Sequence, residues 1–201
     1  MSRGSIVLRN AEPDLEEGLA FARYLDTAAD GFMRFLLGRR APHLLAHAYT
    51  RPDNDYSFEN VVFAEDGGRI VGMSAGFATE DHRRYSDRPL TEAPGFPVVR
   101  MSVLRILCAP LLRILDTVPD GGFYLLALAV DDAERGRGIG SSLIDHVEER
   151  ARRSGSSRLY LDVAVKNEGA RKLYERRGMA VESRWPKRLL PPLLLRMAKD
   201  L

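Results

Sequence analysis

The sequence predicts an α/β (α+β) fold, with a central sheet of about six or seven strands flanked by helices. The first observation is the mostly apolar run 123–130, which is typical of a strand covered on both faces, since a half-exposed strand would alternate with polar residues. The second is a pair of β-rich runs, 58–65 and 69–79, joined by Asp66-Gly67-Gly68 as in a hairpin. The third is helical periodicity between these runs, so the fold must contain both element types.

The N-terminal region predicts one strand followed by three helices. Residues 6–9 form a short apolar run that fits a strand. After Pro13, apolar residues recur at helical spacing, with acidic residues in the first turn where the helix dipole favours them. Two shorter helical patches, at 32–38 and 44–49, follow and are separated by glycine and proline.

Two glycines interrupt the second strand of the predicted hairpin. Gly72 and Gly76 lie inside a run that is otherwise rich in apolar residues. Glycine in a strand interior marks a bulge or the close approach of another backbone. We therefore expect these glycines to serve packing and not ligand binding.

Residues 80–122 are predicted to form a variable helical insertion. Its first part, from His82 onwards, is polar and rich in turn residues, whereas 98–115 is apolar with interspersed arginines and predicts two short amphipathic helices broken at Pro110. Connections of this length inside a compact domain are usually functional, and the apolar content argues against disorder. The insertion is interpreted as a lid over a pocket or as a dimer surface, so a monomer and a homodimer both stay open.

The C-terminal region predicts alternating helices and strands. A helix after Gly140 should end near Gly155, and a strand at 158–166 should follow. Asn167 is placed to cap the next helix, which stops at Gly178, and 179–185 and 193–199 predict two last strands. The apolar face of the first of these helices comprises Leu143, Ile144, Val147 and Ala151.

The segment 135–140, Arg-Gly-Arg-Gly-Ile-Gly, lies between the buried strand 123–130 and the helix predicted after Gly140. Glycines let the backbone approach a ligand closely, and the N–H groups of a first helical turn lie at the positive end of the helix dipole. Arg135 and Arg137 add cations that can pair with phosphate oxygens. The alternative is a tight turn with solvated arginines, but strand, arginines and helix together favour a phosphate or pyrophosphate site.

Composition bounds the class of protein. The 201 residues, 45% hydrophobic and 29% charged, fit a single globular domain spanning 1–201. A net charge of +2 gives no reason to expect nucleic acid as a partner. Cys108 is the single cysteine, which excludes an intrachain disulfide, and no Cys/His cluster predicts a metal site. With no secretion signal and no apolar run that could span a bilayer, we expect a cytoplasmic location without membrane contact.

The assembled motifs resemble the GNAT superfamily of acyl-CoA-dependent N-acetyltransferases. The resemblance rests on Leu128-Ala129-Val130, on the arginine–glycine segment 135–140, and on 167–179, Asn-Glu-Gly-Ala-Arg-Lys-Leu-Tyr-Glu-Arg-Arg-Gly-Met, in that order. It implies a mostly antiparallel sheet with a splayed parallel strand pair that holds CoA. It further implies transfer of an acetyl group from acetyl-CoA, the cosubstrate, to a primary amine of a small molecule or peptide by direct attack in a ternary complex.

The resemblance also implies the site residues. The strand end would bond to the pantetheine arm, the amides of 137–141 would hold the pyrophosphate, and Asn167 would lie near the arm. Tyr174 would be the general acid that protonates the departing thiolate, although periodicity alone favours a core aromatic there. The implied CoA-contacting residues are Leu128, Ala129, Val130, Arg135, Gly136, Arg137, Gly138, Ile139, Gly140, Ser141 and Asn167.

A general base is less visible in the sequence. Glu80, Asp81, His82 and Asp120 flank the insertion and are candidates by position, but a solvated surface is the better interpretation for each. The resemblance implies that water can relay the proton instead, so a missing base does not exclude catalysis.

Three other classes of protein would require different sequence features. A dinucleotide-binding domain would need glycine in place of Ser141 and more strand–helix units after it, although Asp162 could mimic its ribose-binding acid. A phosphate-loop hydrolase would need Gly-Lys-Ser/Thr, which does not follow the glycines. A non-catalytic acyl-CoA sensor would keep the loop and lose the acid, and the presence of Tyr174 favours the enzyme.

Overall fold

The structure is a computed structural model that describes residues 5–107, 118–186 and 192–201. The second amphipathic helix predicted in the insertion, beyond Pro110, and the single Cys108 lie outside these ranges. No helix among the described residues has the length and apolar character needed to cross a membrane.

One mixed sheet of seven strands, in the order β1-β2-β3-β4-β5-β7-β6, organises the described residues. All neighbouring strands are antiparallel except the parallel pair β4 and β5. The predicted α/β fold with a mostly antiparallel sheet is therefore confirmed. The strands are β1 (Ile6–Asn10), β2 (Val61–Asp66), β3 (Arg69–Ala78), β4 (Phe123–Val130), β5 (Arg158–Ala164), β6 (Ala180–Trp185) and β7 (Leu194–Asp200).

Helices cover both faces of the sheet. The helices α1–α3 pack on one face, where they share a core with Phe63, Met73 and Ala127, and α7 and α8 pack on the opposite face around Leu125 and Leu161. The helices are α1 (Leu15–Ala28), α2 (Phe32–Leu37), α3 (Ala41–Tyr49), α4 (Thr79–His82), α5 (Arg88–Thr91), α6 (Val98–Leu107), α7 (Ile139–Arg153) and α8 (Glu168–Arg176).

Burial on both faces explains the continuous apolar runs in the central strands. In β2, Val61 and Phe63 belong to the core beneath α1–α3, whereas Val62 and Ala64 belong to the core beneath α7. Successive side chains of a strand point to opposite faces, so a strand covered on both sides needs apolar residues at every position. The same argument applies to β4, on which the first prediction of the fold rested.

The polar first part of the insertion contains two one-turn helices, α4 and α5, where the sequence predicts only turns. Pro89 in the first turn of α5 supplies a fixed φ that suits a helix start. The apolar part begins with α6, as predicted. The side chain of Arg100 donates to the carbonyls of Phe35 and Leu36 at 2.5 and 3.1 Å, and so joins α6 to α2.

The two strand glycines lie where the backbones of β3 and β4 approach closely. A Cβ atom on Gly76 would lie 2.7 Å from the carbonyl oxygen of Tyr124 and 2.8 Å from the ring of Phe123. A Cβ atom on Gly72 would lie 3.0 Å from the carbonyl oxygen of Ala129. The expected packing role of both glycines is confirmed.

We predict that Gly76→Ala destabilises the protein by about 1–3 kcal/mol, because the new methyl group overlaps backbone atoms that cannot move independently. Gly169→Ala in α8 is the matched control, since nothing lies within 4 Å of its Cβ position. Replacing that helical glycine should stabilise the protein by up to about 1 kcal/mol. Urea unfolding of both variants measures the difference, and equal effects would contradict the close packing at Gly76.

Candidate active site

The parallel pair β4 and β5 separates along its length. Register pairs join Phe123 to Leu159, Tyr124 to Tyr160 and Leu125 to Leu161, and no further pair follows among the described residues, although β4 continues to Val130 and β5 to Ala164. Beyond Leu125, β4 is therefore hydrogen-bonded to β3 alone. We call the opening between the two strands the cleft. Its β4 edge offers backbone groups to a ligand that lies along it.

A β-bulge lies directly at the start of the cleft. Ala75 pairs with Ala127 and Gly76 pairs with Leu125, so Leu126 is the extra residue on β4. A bulge bends its strand and increases the local twist. Leu126 follows the last residue that pairs with β5, so the bulge coincides with the point at which β4–β5 pairing ends.

The glycine-rich segment follows β4 at the far end of the cleft. Gly136 and Gly138 have φ values of 79° and 80°, in the left-handed region that other residues enter only at a cost. Nothing lies within 4 Å of a Cβ atom at either position, so backbone conformation and not crowding requires glycine there. Gly140 is different, because its Cβ would lie 3.3 Å from the side chain of Leu173 in α8.

The N-terminus of α7 opens beside the cleft without a side-chain cap. Gly138 is the N-cap residue and makes no side-chain hydrogen bond to the first turn. The N–H of Ser142 donates to the carbonyl of Gly138 at 3.0 Å, so the N–H groups of Ile139, Gly140 and Ser141 precede that first helical bond. Uncapped N–H groups at the positive end of a 15-residue helix form a site suited to an anion.

The two arginines of the segment are engaged by carboxylates. Arg137 donates to Asp66 at 2.6 Å and to Glu134 at 2.5 Å, and only 19% of its side chain is exposed. These carboxylates raise the pKa of Arg137, and its hydrogen bond, together with that of Arg69, lowers the pKa of Glu134. Arg137 thereby fixes the segment against the β2–β3 hairpin. Arg135 pairs with Asp132 at 2.7 Å, and pairing of either arginine with phosphate stays a prediction.

Tyr174 lies on α8, on the face of the sheet covered by α7 and α8. The residue is 7% exposed and belongs to the same hydrophobic cluster as Leu125 and Leu161, the last parallel pair. Leu128 packs against that cluster. Burial raises the pKa of Tyr174 to about 12. The phenol therefore stays protonated at neutral pH, as a proton donor must.

Asn167 begins α8 at the end of the cleft formed by β5. Its side-chain oxygen accepts a hydrogen bond from the N–H of Ala170 at 3.1 Å, which confirms the cap predicted from sequence. The residue is exposed, so its contact with a pantetheine arm stays a prediction.

The four candidate bases have different surroundings. Glu80 and Asp81 are exposed on α4, and Asp120 is 79% exposed and paired with Arg83. His82 lies against a cavity, where its Nδ1 is 2.6 Å from a carboxylate oxygen of Asp55. Of the four, His82 alone has surroundings other than solvated surface.

A buried polar cluster that sequence reasoning missed joins three strands next to the cleft. The phenol of Tyr124 donates to Asp162 at 2.9 Å, and Arg196 donates to both carboxylate oxygens of Asp162 at 3.0 and 2.7 Å. Burial together with the charge of Asp162 raises the pKa of Tyr124 far above its usual range. Asp162 is thus held by two side chains of the protein, which does not favour the ribose contact considered for a dinucleotide.

A mixed sheet that opens at one parallel pair, with an uncapped glycine-rich helix N-terminus beside the opening, defines an acetyltransferase fold. A sequence model described as the acetyltransferase (GNAT) family matches residues 29–179. The chain belongs to this family, as the sequence motifs predict, and is therefore a transferase of acetyl groups.

Solved structures share the fold of this chain. One described as an acetyltransferase is 27% identical, with a TM-score of 0.66 over 96% of this chain and 98% of the other. An N-acetyltransferase from Staphylococcus aureus Mu50 is 18% identical, with a TM-score of 0.72 over 96% and 100% of the two chains. A chain of the NatC complex bound to Gag peptide and CoA is 16% identical, with a TM-score of 0.55 over 98% and 99%. No curated protein matches the sequence significantly.

No group of three or more His, Cys, Asp or Glu side chains within the described ranges is placed to hold a metal ion.

We predict that Tyr174 remains protonated up to about pH 11, because burial opposes formation of the phenolate. The pKa of Tyr174 is raised from 10.0 to about 12 in the folded protein, so between these pH values the unfolded chain ionises first. The free energy of unfolding should therefore fall as the pH rises from 10 towards 12 and should not depend on Tyr174 ionisation below pH 10. The difference between the tyrosinate absorbance titrations of the wild type and Tyr174→Phe isolates this group. A difference curve centred near pH 10 would contradict the prediction.

Proposed function

We propose that the protein is an N-acetyltransferase that transfers the acetyl group of acetyl-CoA to a primary amine of a small molecule or peptide, by direct attack in a ternary complex. The observation that carries this proposal is the end of β4–β5 pairing at Leu125 and Leu161, beside the uncapped N-terminus of α7. Together these features offer a strand edge for an amide-bearing arm and N–H groups for a diphosphate. That combination fits the two chemically distinct parts of CoA.

Main-chain groups would hold the donor. The N–H groups of 137–141 suit the pyrophosphate, because the first helical turn has donors without a side-chain cap. Leu128, Ala129 and Val130 present the unpaired edge of β4 along which the pantetheine arm would lie as an extra strand. Asn167, at the opposite side of the cleft, would contact the arm. Arg137 acts in this scheme as a positioning residue through Asp66 and Glu134.

The chain would supply two groups to the chemical step. A main-chain N–H near Leu128 would stabilise the negative charge that develops on the thioester oxygen. Tyr174 would donate its phenolic proton to the departing sulfur, consistent with a pKa that keeps the phenol protonated. Overall, the neutral amine nitrogen forms a bond to the acetyl carbon and releases one proton to water, the carbon–sulfur bond breaks, the thiolate takes the phenolic proton of Tyr174, and water returns a proton to the phenolate.

A non-catalytic acyl-CoA sensor is the alternative, and no observation of the structure favours it. We further propose that residues 1–201 act as one catalytic domain in the cytoplasm, as its composition suggests. A monomer and a homodimer are both compatible with the cleft.

We expect Gly138→Val to weaken CoA binding at least tenfold, because a β-branched residue cannot hold the left-handed φ of 80° and the N–H groups must reorient. Isothermal titration with CoA measures the loss. Gly155→Val is the matched control, since Gly155 has a similar φ of 76° at the other end of the same helix. That variant should lose comparable stability and keep its CoA affinity, whereas equal affinities for both variants would count against the site.

Tyr174→Phe should lower kcat by about 100-fold and leave the KM for acetyl-CoA nearly unchanged, because it removes a proton donor and not a binding group. Thiol release from acetyl-CoA, measured with a panel of primary amines, gives both constants. Tyr49→Phe is the control, since it also removes the hydroxyl of a buried tyrosine, in α3, away from the cleft. Tight CoA binding without turnover on any amine would instead support the sensor.

A further inference from the structure

A cavity of about 670 Å³ lies between α2, the loop around Asp55 and the inserted segment α4–α6. Its volume is in the range of cavities that hold metabolite-sized ligands. The bonds from Arg100 to the carbonyls of Phe35 and Leu36 hold α6 beside α2 and so help to enclose the space. The chemistry proposed above assigns no residue to this cavity.

Packing contacts connect the cavity wall to the start of the cleft. Leu126, the bulged residue of β4, packs against two hydrophobic clusters. One cluster contains the cavity-lining residue Leu37, and cavity-lining Tyr85 packs against the other. A second connection runs through Phe77, whose ring stacks on cavity-lining His82 at 5.2 Å and contacts Tyr124 of β4 at 5.9 Å. Phe77 thus connects the cavity wall to Tyr124, which directly precedes Leu125, and Leu126 on its other side shares hydrophobic clusters with the wall.

The cavity and the proposed acid lie on opposite faces of the sheet. Leu36 and Leu37 of the cavity belong to the core beneath α1–α3, whereas Tyr174 belongs to the core beneath α7 and α8. In a direct displacement, the nucleophile and the group that protonates the leaving atom need separate access to the reacting carbonyl. An acceptor in the cavity would leave the Tyr174 side of the cleft to the sulfur.

The lining chemistry indicates what the cavity would bind. Apolar side chains form much of the wall, with Met33, Phe96 and Met101 as examples. Asp55 and Asp87 contribute carboxylates, and no lysine or arginine is among the described residues that line the cavity. The insertion contains both acidic residues and arginines. Among those that the structure describes, only Asp87 lines the cavity. Such a lining attracts a cation with an apolar body and repels a carboxylate.

We propose that this cavity is the acceptor site, and that the acceptor is a small primary amine with an apolar body and no carboxylate group. The inference rests on the proposed function, of which it specifies the substrate class. Asp55, held by His82, and Asp87 would attract the ammonium form of the amine, which then releases a proton to water before the neutral amine attacks.

The test measures binding separately from turnover. Phenethylamine, tryptamine and 4-phenylbutylamine are titrated calorimetrically into the CoA-bound wild-type protein, and phenylalanine provides the same body as phenethylamine with an added carboxylate. We expect at least one amine to bind, and phenethylamine to bind at least tenfold more tightly than phenylalanine. No binding of any amine, or equal binding of the matched pair, would overturn the proposal.

Filling the cavity should remove this binding. Ser102 lines the cavity from α6, so Ser102→Trp should weaken amine binding and raise the KM for the amine at least tenfold, with CoA affinity unchanged. Val99 lies on the same helix, is 78% exposed and does not line the cavity, which makes Val99→Trp the matched control. Equal effects of the two tryptophans would contradict the proposed location, as would efficient acetylation of a peptide amine that Ser102→Trp leaves intact.

Removing a carboxylate tests the charge preference. Asp87→Asn should raise the KM for phenethylamine roughly two- to fivefold, the range expected for an exposed ion pair, and leave kcat unchanged. Asp87 makes no side-chain cap to α5, so the substitution costs no helix cap. Glu92→Gln, which removes a charge of the same sign outside the cavity lining, should have no effect.

These outcomes separate the two proposals. Absence of CoA binding to the wild type would contradict the proposed function. Titration of amines into the unliganded protein would still show whether the cavity binds them. Acetylation of amines that is insensitive to Ser102→Trp would instead support the function and contradict the acceptor site.

Discussion

The early end of β4–β5 pairing is the constraint on which the rest of the site depends. A parallel pair that continued past Leu125 and Leu161 would close the sheet and leave no strand edge for a ligand. The bulge at Leu126 lies where this pairing ends, and Gly76 allows β3 and β4 to remain close beside it. The sheet therefore opens locally without losing its continuity from β1 to β6.

In the proposed site, backbone groups bind the donor and side chains bind the acceptor. Donor-binding groups proposed here are mostly main-chain amides, whose positions are fixed by β4, by the left-handed glycines and by the start of α7. Side chains act mainly by positioning the backbone, as Arg137 does through its ion pairs with Asp66 and Glu134. Acceptor recognition, by contrast, would depend on side chains of the cavity wall.

Local features of the site could be predicted from sequence because they depend on neighbours along the chain. The glycine segment, the Asn167 cap and the buried character of β4 each follow from a short stretch of residues. The bond of Arg137 to Asp66 spans 71 positions, and the Tyr124–Asp162–Arg196 cluster needs strand pairings that no local pattern specifies. The cavity could not be predicted from sequence either, because its walls come from α2, the loop near Asp55 and the insertion. Only the packing of these segments shows which charged residues of the insertion line it.

The insertion and the glycine segment leave the sheet at opposite ends of the β3–β4 ladder. Ala78 pairs with Phe123 where the insertion begins and ends, and Gly72 pairs with Val130 next to the glycine segment, about 20 Å away by strand geometry. Changes of length or composition at one end can thus accumulate without moving the backbone at the other. With the acceptor at the insertion and the donor at the glycine segment, as proposed, new acceptors could evolve while the donor site stays constant.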